Sequence, residues 1–337
     1  MIDFRYHIVS IVSIFLALAV GILLGAGPLQ EDLGKTLSSQ VETLRQEKSD
    51  LRAQLDTVQK QLDAGNEFAT KVTPALVGSR LGGRSIALVT LPGTDKDVVA
   101  ALTEVLTAAG ATVNGPVGVT TSWTDPAKRS VREQLSTDPG PDVGTGGTSS
   151  TGSTAGTGDT GNADAGLNAR LGALLARALV VSKLTDAGRR SLASKQTLAR
   201  LKQADLVTFD ADGPAASTLA VLVAPSPDAE QGGQRSAEVS AWTALARALD
   251  SASSGSAVVA ASKVGGSDSA ATGGLLAAIR ADDGLAKVVS TVDHVGTAVG
   301  RIAAVYALRE QMAGGAGQYG VGPGASAVVP VLTVGGA

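Results

Sequence analysis

The chain has 337 residues, with 28 Lys and Arg against 31 Asp and Glu, and a net charge of −3. That balance excludes the basic footprint of a nucleic-acid-binding protein. There is no cysteine, which excludes disulfides, thiolate metal centres and thiol nucleophiles, and aromatics make up only 3 %, so a core has to be built from Ala, Val and Leu.

Seven residues precede an uncharged run, residues 8–27. At about 1.5 Å of rise per residue this run spans roughly 30 Å, the thickness of a bilayer's hydrocarbon core. It is apolar on every face, so we read it as a membrane span in preference to a core helix. The apolar part of a signal peptide is about 7–15 residues long. The longer run here reads as an uncleaved signal anchor, with cleavage near Gly25-Ala26-Gly27 as the alternative. Arg5 precedes the span and Glu31 and Asp32 follow it, which places residues 1–7 in the cytoplasm and the bulk outside. Within the span, Ser13, Ala17, Gly21 and Gly25 recur every four residues. They make one stripe of small side chains with a Gly21-x-x-x-Gly25 close-packing motif. The stripe reads either as a dimer face or as the ordinary Gly and Ala content of membrane helices.

Residues 28–65 read as a parallel coiled coil. Heptads with Leu37, Leu44, Leu51 and Val58 at d place Val41, Lys48, Leu55 and Leu62 at a, so seven of eight seam positions are apolar. In a parallel pair Glu47 at g meets Arg52 at e, an opposite-charge contact. Lys48 at a weakens the coil and discourages other registers. Pro28 suits a helix start and Gly65 a helix end. The alternative is a lone amphipathic helix packed on a globular domain. The polar b, c and f positions favour the coil, and stripe and seam both ask for a parallel homodimer.

Residues 66–312 alternate strand and helix patterns, the signature of a mostly parallel α/β (Rossmann-like) domain. Strands are expected at 84–91, 112–119, 206–209, 219–223, 257–261 and 288–292. Helices are expected at 94–109 with Thr94 as cap, 125–135, 167–181, 186–203, 236–253, 272–281 and 296–312. Residues 137–166 are Gly, Ser, Thr, Asp and Pro with little apolar content, which predicts a disordered insertion. Residues 313–337 are Gly-rich, which predicts a flexible tail.

Ligands of such folds bind in the loops after the strands. Leu91-Pro92-Gly93-Thr94 lacks the spacing of a dinucleotide fingerprint, and Val264-Gly265-Gly266-Ser267 reads as an anion loop or, more simply, as a turn. The two histidines are His7, beside the membrane, and His294. Asp293-His294 reads as an acid–base pair or as a solvated loop histidine. No serine sits in a nucleophile motif, and the sequence reads as a non-enzyme with no catalytic, cofactor-binding or metal-ligating residue assigned.

Several segments are similar to the MctB-type copper-transport family. They are Met1-Ile2-Asp3-Phe4-Arg5-Tyr6-His7 with Ile8-Val9-Ser10, Gly21-Ile22-Leu23-Leu24-Gly25, Pro74-Ala75-Leu76-Val77, Arg84-Ser85-Ile86-Ala87-Leu88-Val89, and Gly314-Gly315-Ala316-Gly317-Gln318-Tyr319-Gly320. The resemblance implies copper export or homeostasis in the envelope of high-GC Gram-positive bacteria, with a pore in the outer membrane. Similar proteins called SteB imply a second role, in which a coiled coil acts in cell division and wall remodelling with a partner membrane protein and a peptidoglycan hydrolase.

The residues themselves do not favour copper ligation. Cu(I) prefers Cys and Met and Cu(II) imidazole, yet the chain has no Cys, Met only at positions 1 and 312, and two distant His. An outer-membrane barrel needs alternating strands of about ten residues, unlike the short apolar runs here. Two readings follow: copper homeostasis, on the resemblance, and a dimeric coiled-coil scaffold in the cell membrane, on residue physics and resemblance together.

Overall fold

The computed structural model describes residues 4–26, 28–137, 160–181, 191–210, 213–225, 236–260 and 274–331. The chain divides into two compact units, Met1–Gly65 and Asn66–Ala337.

The first unit holds α1 (Phe4–Ala26) and most of α2 (Pro28–Val77). Phe4–Leu23 is long and apolar enough to cross a membrane. The helix begins four residues before the apolar run, because backbone hydrogen bonding extends through Arg5, Tyr6 and His7 irrespective of hydropathy. Gly65 does not end α2 as expected. A glycine inside a helix costs about 1 kcal/mol relative to Ala, and the residues beyond it, Ala69, Thr73 and Val77, are buried. Their burial offsets that cost.

Among the described residues, the second unit is built on seven strands: β1 (Ser85–Thr90), β2 (Thr112–Val119), β3 (Val207–Thr208), β4 (Leu219–Ala224), β5 (Ser256–Ala260), β6 (Ser290–Val292) and β7 (Gln318–Tyr319). Their order is β3-β2-β1-β4-β5-β6-β7. Every pairing is parallel except β2 with β3. The order reverses between β1 and β4, as in a doubly wound sheet.

Among the described residues, seven α-helices complete the second unit together with the end of α2: α3 (Lys96–Ala108), α4 (Arg129–Thr137), α5 (Thr160–Leu179), α6 (Leu192–Gln203), α7 (Ser236–Ala252), α8 (Leu275–Ala281) and α9 (Ala298–Met312). Successive strand side chains point to opposite faces. Ile86 and Leu88 of β1 join Val77, Leu102, Leu106 and the buried residues of α9, whereas Ala87 and Val89 join Leu171, Leu175, Leu245 and Ile279. Both faces are covered, which is why the strands read as unbroken apolar runs.

Four expectations need correction. Asp95, not Thr94, caps α3, its side chain accepting from Asp97 N. Thr94 Oγ1 instead donates to Leu91 O and Val223 O, tying the β1–α3 loop to the end of β4. The helix expected from 167 starts at Thr160, where Asp164 pairs with Arg129 of α4; residues 138–159 lie outside the described residues. The strand expected at 206–209 is two residues long and antiparallel. The tail, read as loose from 313, supplies β7, with Gln318 and Tyr319 buried.

Candidate functional site

The residues of the expected seam lie on one stripe of α2. Leu37, Val41, Leu44, Leu51, Leu55, Val58 and Leu62 are all exposed in the single chain, Leu55 by 69 %. Full burial of such a side chain contributes about 1.5–3 kcal/mol. Among the described residues, three ion pairs run along the helix: Arg45 with Glu42, Lys60 with Asp56, and Lys71 with Glu67. Glu47, Lys48 and Arg52, at and beside the seam, form no ion pair among the described residues.

On α1, Ser13 Oγ donates to Val9 O, and nothing lies within 4 Å of a Cβ built on Gly21. Ala17 is exposed on the same stripe. Gly25 belongs to α1, but its surroundings lie outside the described residues.

In the α/β unit, polar side chains converge where β6 ends. Asp293, the residue after β6, is buried. Its Oδ2 accepts from Arg280 Nη1 at 3.1 Å and from Gly322 N at 3.0 Å, and its Oδ1 accepts from Val321 N at 2.9 Å. His294 Nδ1 lies against Asp293 Oδ1. Burial alone would raise the Asp293 carboxyl, but His294, the two backbone N–H groups and Arg280 together hold it at about 2. Arg280 also donates to Thr291 Oγ1, Tyr319 O and Pro323 O. The Tyr319 hydroxyl lies against Glu310, and burial and that carboxylate push its pKa up.

The backbone is shaped around this network. His294 sits at φ 59°, a conformation uncommon for a residue with a side chain. Thr297 holds it there, its backbone N and Oγ1 both donating to His294 O. A Cβ on Gly320, at φ 132°, would overlap the Asp293 carboxylate, so the tail's glycine is required by close approach.

The network fastens β7 and the following loop to β6 and α8. Asp293-His294, which the sequence marks as a pair, thus gains a third member that it does not mark: Arg280 lies 13 residues before Asp293 in a separate helix. His294 is pinned through Nδ1, leaving Nε2 on a side chain 24 % exposed. Among the described residues no three His, Cys, Asp or Glu side chains group as a metal site.

Two helix N-termini at the same end of the sheet are poor anion sites. At α3 the N-cap Asp95 and the first-turn Asp97 already compensate the positive end of the helix dipole and repel an anion. At α9, Ala298 N donates to Asn66 Oδ1 and Gly300 N to Thr297 Oγ1. The Gly265-Gly266 loop lies outside the described residues. A cleft of about 1040 Å³ between α5, α7 and α8, lined by Ala173, Ala244, Ala248 and Ala277 with Arg177 and Arg247, has no motif because alanines from three helices build it.

Residues 1–330 match the family described as "Copper transport outer membrane protein, MctB". The chain belongs to this family. It is 29 % identical over 343 residues to the "Copper transporter MctB" of Mycobacterium leprae, covering 97 % of this chain and 99 % of that one. The proteins of the same name from Mycobacterium bovis and Mycobacterium tuberculosis are 29 % identical over 335 residues, with the same shares covered. The resemblance carried by the N-terminal residues and by Gly314–Gly320 therefore holds across the chain. MctB membership spans both units, helix α1 and the Asp293 network included.

Proposed function

We propose that this MctB-family protein serves copper homeostasis in the cell envelope. It does so as a parallel homodimer anchored by α1, with the α/β unit outside the cytoplasm. The family match over residues 1–330, with relatives named copper transporters, carries the copper half of this reading. The exposed heptad seam of α2 carries the dimer.

The described strands form one open sheet covered on both faces, an arrangement unlike the closed, lipid-facing wall of a membrane barrel. The protein therefore contributes to export as an anchored component that assembles with other components, and the copper ion is their cargo. The relatives' names speak of copper, and no observation favours the division role or a peptidoglycan hydrolase as partner.

The test is deletion of the gene followed by copper challenge. Cells lacking the protein are expected to accumulate copper and grow poorly in it, and wild-type copper content in the deletion strain would sink the reading. Complementation with Leu44→Asp plus Leu51→Asp separates the two halves. That variant is expected to sediment as a monomer and to fail to restore copper tolerance.

A further inference from the structure

The cleft between α5, α7 and α8, at about 1040 Å³, has the size of a small-molecule site, for which about 300–1,000 Å³ is usual. Its two ends differ. Val181 N donates to Ser217 O and Ser254 N to Thr218 O, so α5 and α7 finish beside consecutive residues and run in the same direction. The two helices meet at Gly172, where a Cβ would stand 3.3 Å from Ala248 Cβ. Asp282, the C-cap of α8, lies 3.1 Å from Arg247 of α7, so α8 finishes toward the same end.

Arg177 stands in the last turn of α5, and Arg247 within the last two turns of α7. Both guanidiniums therefore lie toward that end of the cleft. The opposite end is lined by Ala169, Val239 and Gly274 with the uncharged Ser236 and Ser240, and alanines line the length between. The hydroxyls of Thr243 and Ser251 donate to Val239 O and Arg247 O of their own helix. Arg177 has no ion pair or hydrogen bond among the described residues. Arg247 gives Nη2 to Asp282 and keeps its other donors. No Asp or Glu is among the described residues that line the cleft.

We propose that this cleft binds a single-chain anionic amphiphile of the fatty-acid class, with its carboxylate at Arg177 and Arg247 and its hydrocarbon chain along the alanines. Charge selects the occupant and its direction. A guanidinium fork matches a carboxylate and repels a cation. Alanine methyl groups offer no hydrogen bond, and each methylene laid against them leaves water favourably. A neutral chain would leave both guanidiniums without a counter-charge, and a small anion such as phosphate would leave the alanines facing water.

The test uses the full chain in phosphatidylcholine nanodiscs and a palmitate that carries a photoactivatable diazirine on its chain. After irradiation the probe is expected on peptides of α5, α7 and α8, and unlabelled palmitate is expected to compete. Arg177→Gln with Arg247→Gln is expected to cut labelling of the cleft about tenfold, the loss of one charge-assisted contact. The exposed pair of Arg247 with Asp282 contributes little to folding, so the variant keeps its structure. Ala277→Phe, which fills the cleft and leaves both arginines, is expected to reduce labelling as strongly. The corresponding diazirine alcohol, which has no charge, is expected to label weakly. Unchanged labelling in either variant, or equal labelling by the alcohol, overturns the proposal. Labelling confined to α1 or competition by inorganic phosphate overturns it as well. If Ala277→Phe instead abolishes self-association, the cleft belongs to a second copy and the proposal falls.

Discussion

Asp293 holds one edge of the sheet through charge, and its ionisation sets an acid limit on that edge. Its carboxylate faces a guanidinium whose side chain is only 5 % exposed, and two backbone N–H groups from the loop after β7. Removing one member of a buried ion pair strands the other and costs about 3–5 kcal/mol. Asp293→Asn is therefore expected to lower the unfolding free energy of the protein by about 3 kcal/mol or more in denaturant titration. The pH dependence follows from the sign of the shift. The folded carboxyl sits at about 2, below the ordinary aspartate value of about 3.9. Its contribution is complete above the unfolded value and is lost as pH falls through that window toward the folded one. Between about pH 4 and pH 2, wild-type stability should fall more steeply than that of Asp293→Asn; parallel curves would remove the carboxylate from this role. Gly320→Ala tests the same contact from the other side. At φ 132°, with the carboxylate where its Cβ would go, the substitution should lower Tm by several degrees.

At the scale of elements, α2 carries exposed apolar residues from Leu37 to Leu62 and buried ones from Ala69 onward. The helix was legible in its first part because an apolar 3.5-residue period runs through Leu37, Leu44, Leu51 and Val58 without a break. Its end was not, because Gly65 signals termination locally while the burial of Ala69, Thr73 and Val77 is a tertiary effect. The same logic hid β7. Its two residues are too few to show a period, and the glycines around them read as looseness although they wrap Asp293. Arg280 was hidden because it meets Thr291, Asp293 and Tyr319 only in three dimensions. The strands β1 and β4 were legible because burial on both faces leaves an unbroken apolar run. Two substitutions on α2 exploit this division. A Cβ on Gly65 meets nothing within 4 Å, so Gly65→Ala should stabilise the helix by about 1 kcal/mol, read as a rise in helical melting temperature. Lys48→Leu should raise the thermal stability of the proposed dimer, since a charge leaves an a position, and should loosen its choice of register or oligomer. A stability unchanged by Lys48→Leu would mean that position 48 faces water in the assembled protein.

For the whole molecule, the proposed role depends on the side of the membrane that receives the α/β unit, because a component of copper export outside the cytoplasm handles the ion after it has crossed. The flanking charges are Arg5, in the first turn of α1 ahead of the uncharged run, and Glu31 and Asp32 after the helix. The positive-inside rule weighs basic residues close to the ends of a span. The orientation argued from these flanks is N-terminus in, bulk out. Ala100, exposed on α3 within the α/β unit, is a neutral place to test it in a chain without cysteine. In intact spheroplasts, Ala100→Cys is expected to react with a membrane-impermeant maleimide as fully as after lysis. Labelling only after lysis would put the unit inside, and a copper role would then have to act on the ion before it crosses. A charge swap sharpens the outcome. Arg5→Glu removes the one basic residue on the N-terminal side, so part of the Ala100→Cys population should become protected from the reagent. Unchanged labelling would show that the bulk of the chain, rather than the flanking charges, determines its side.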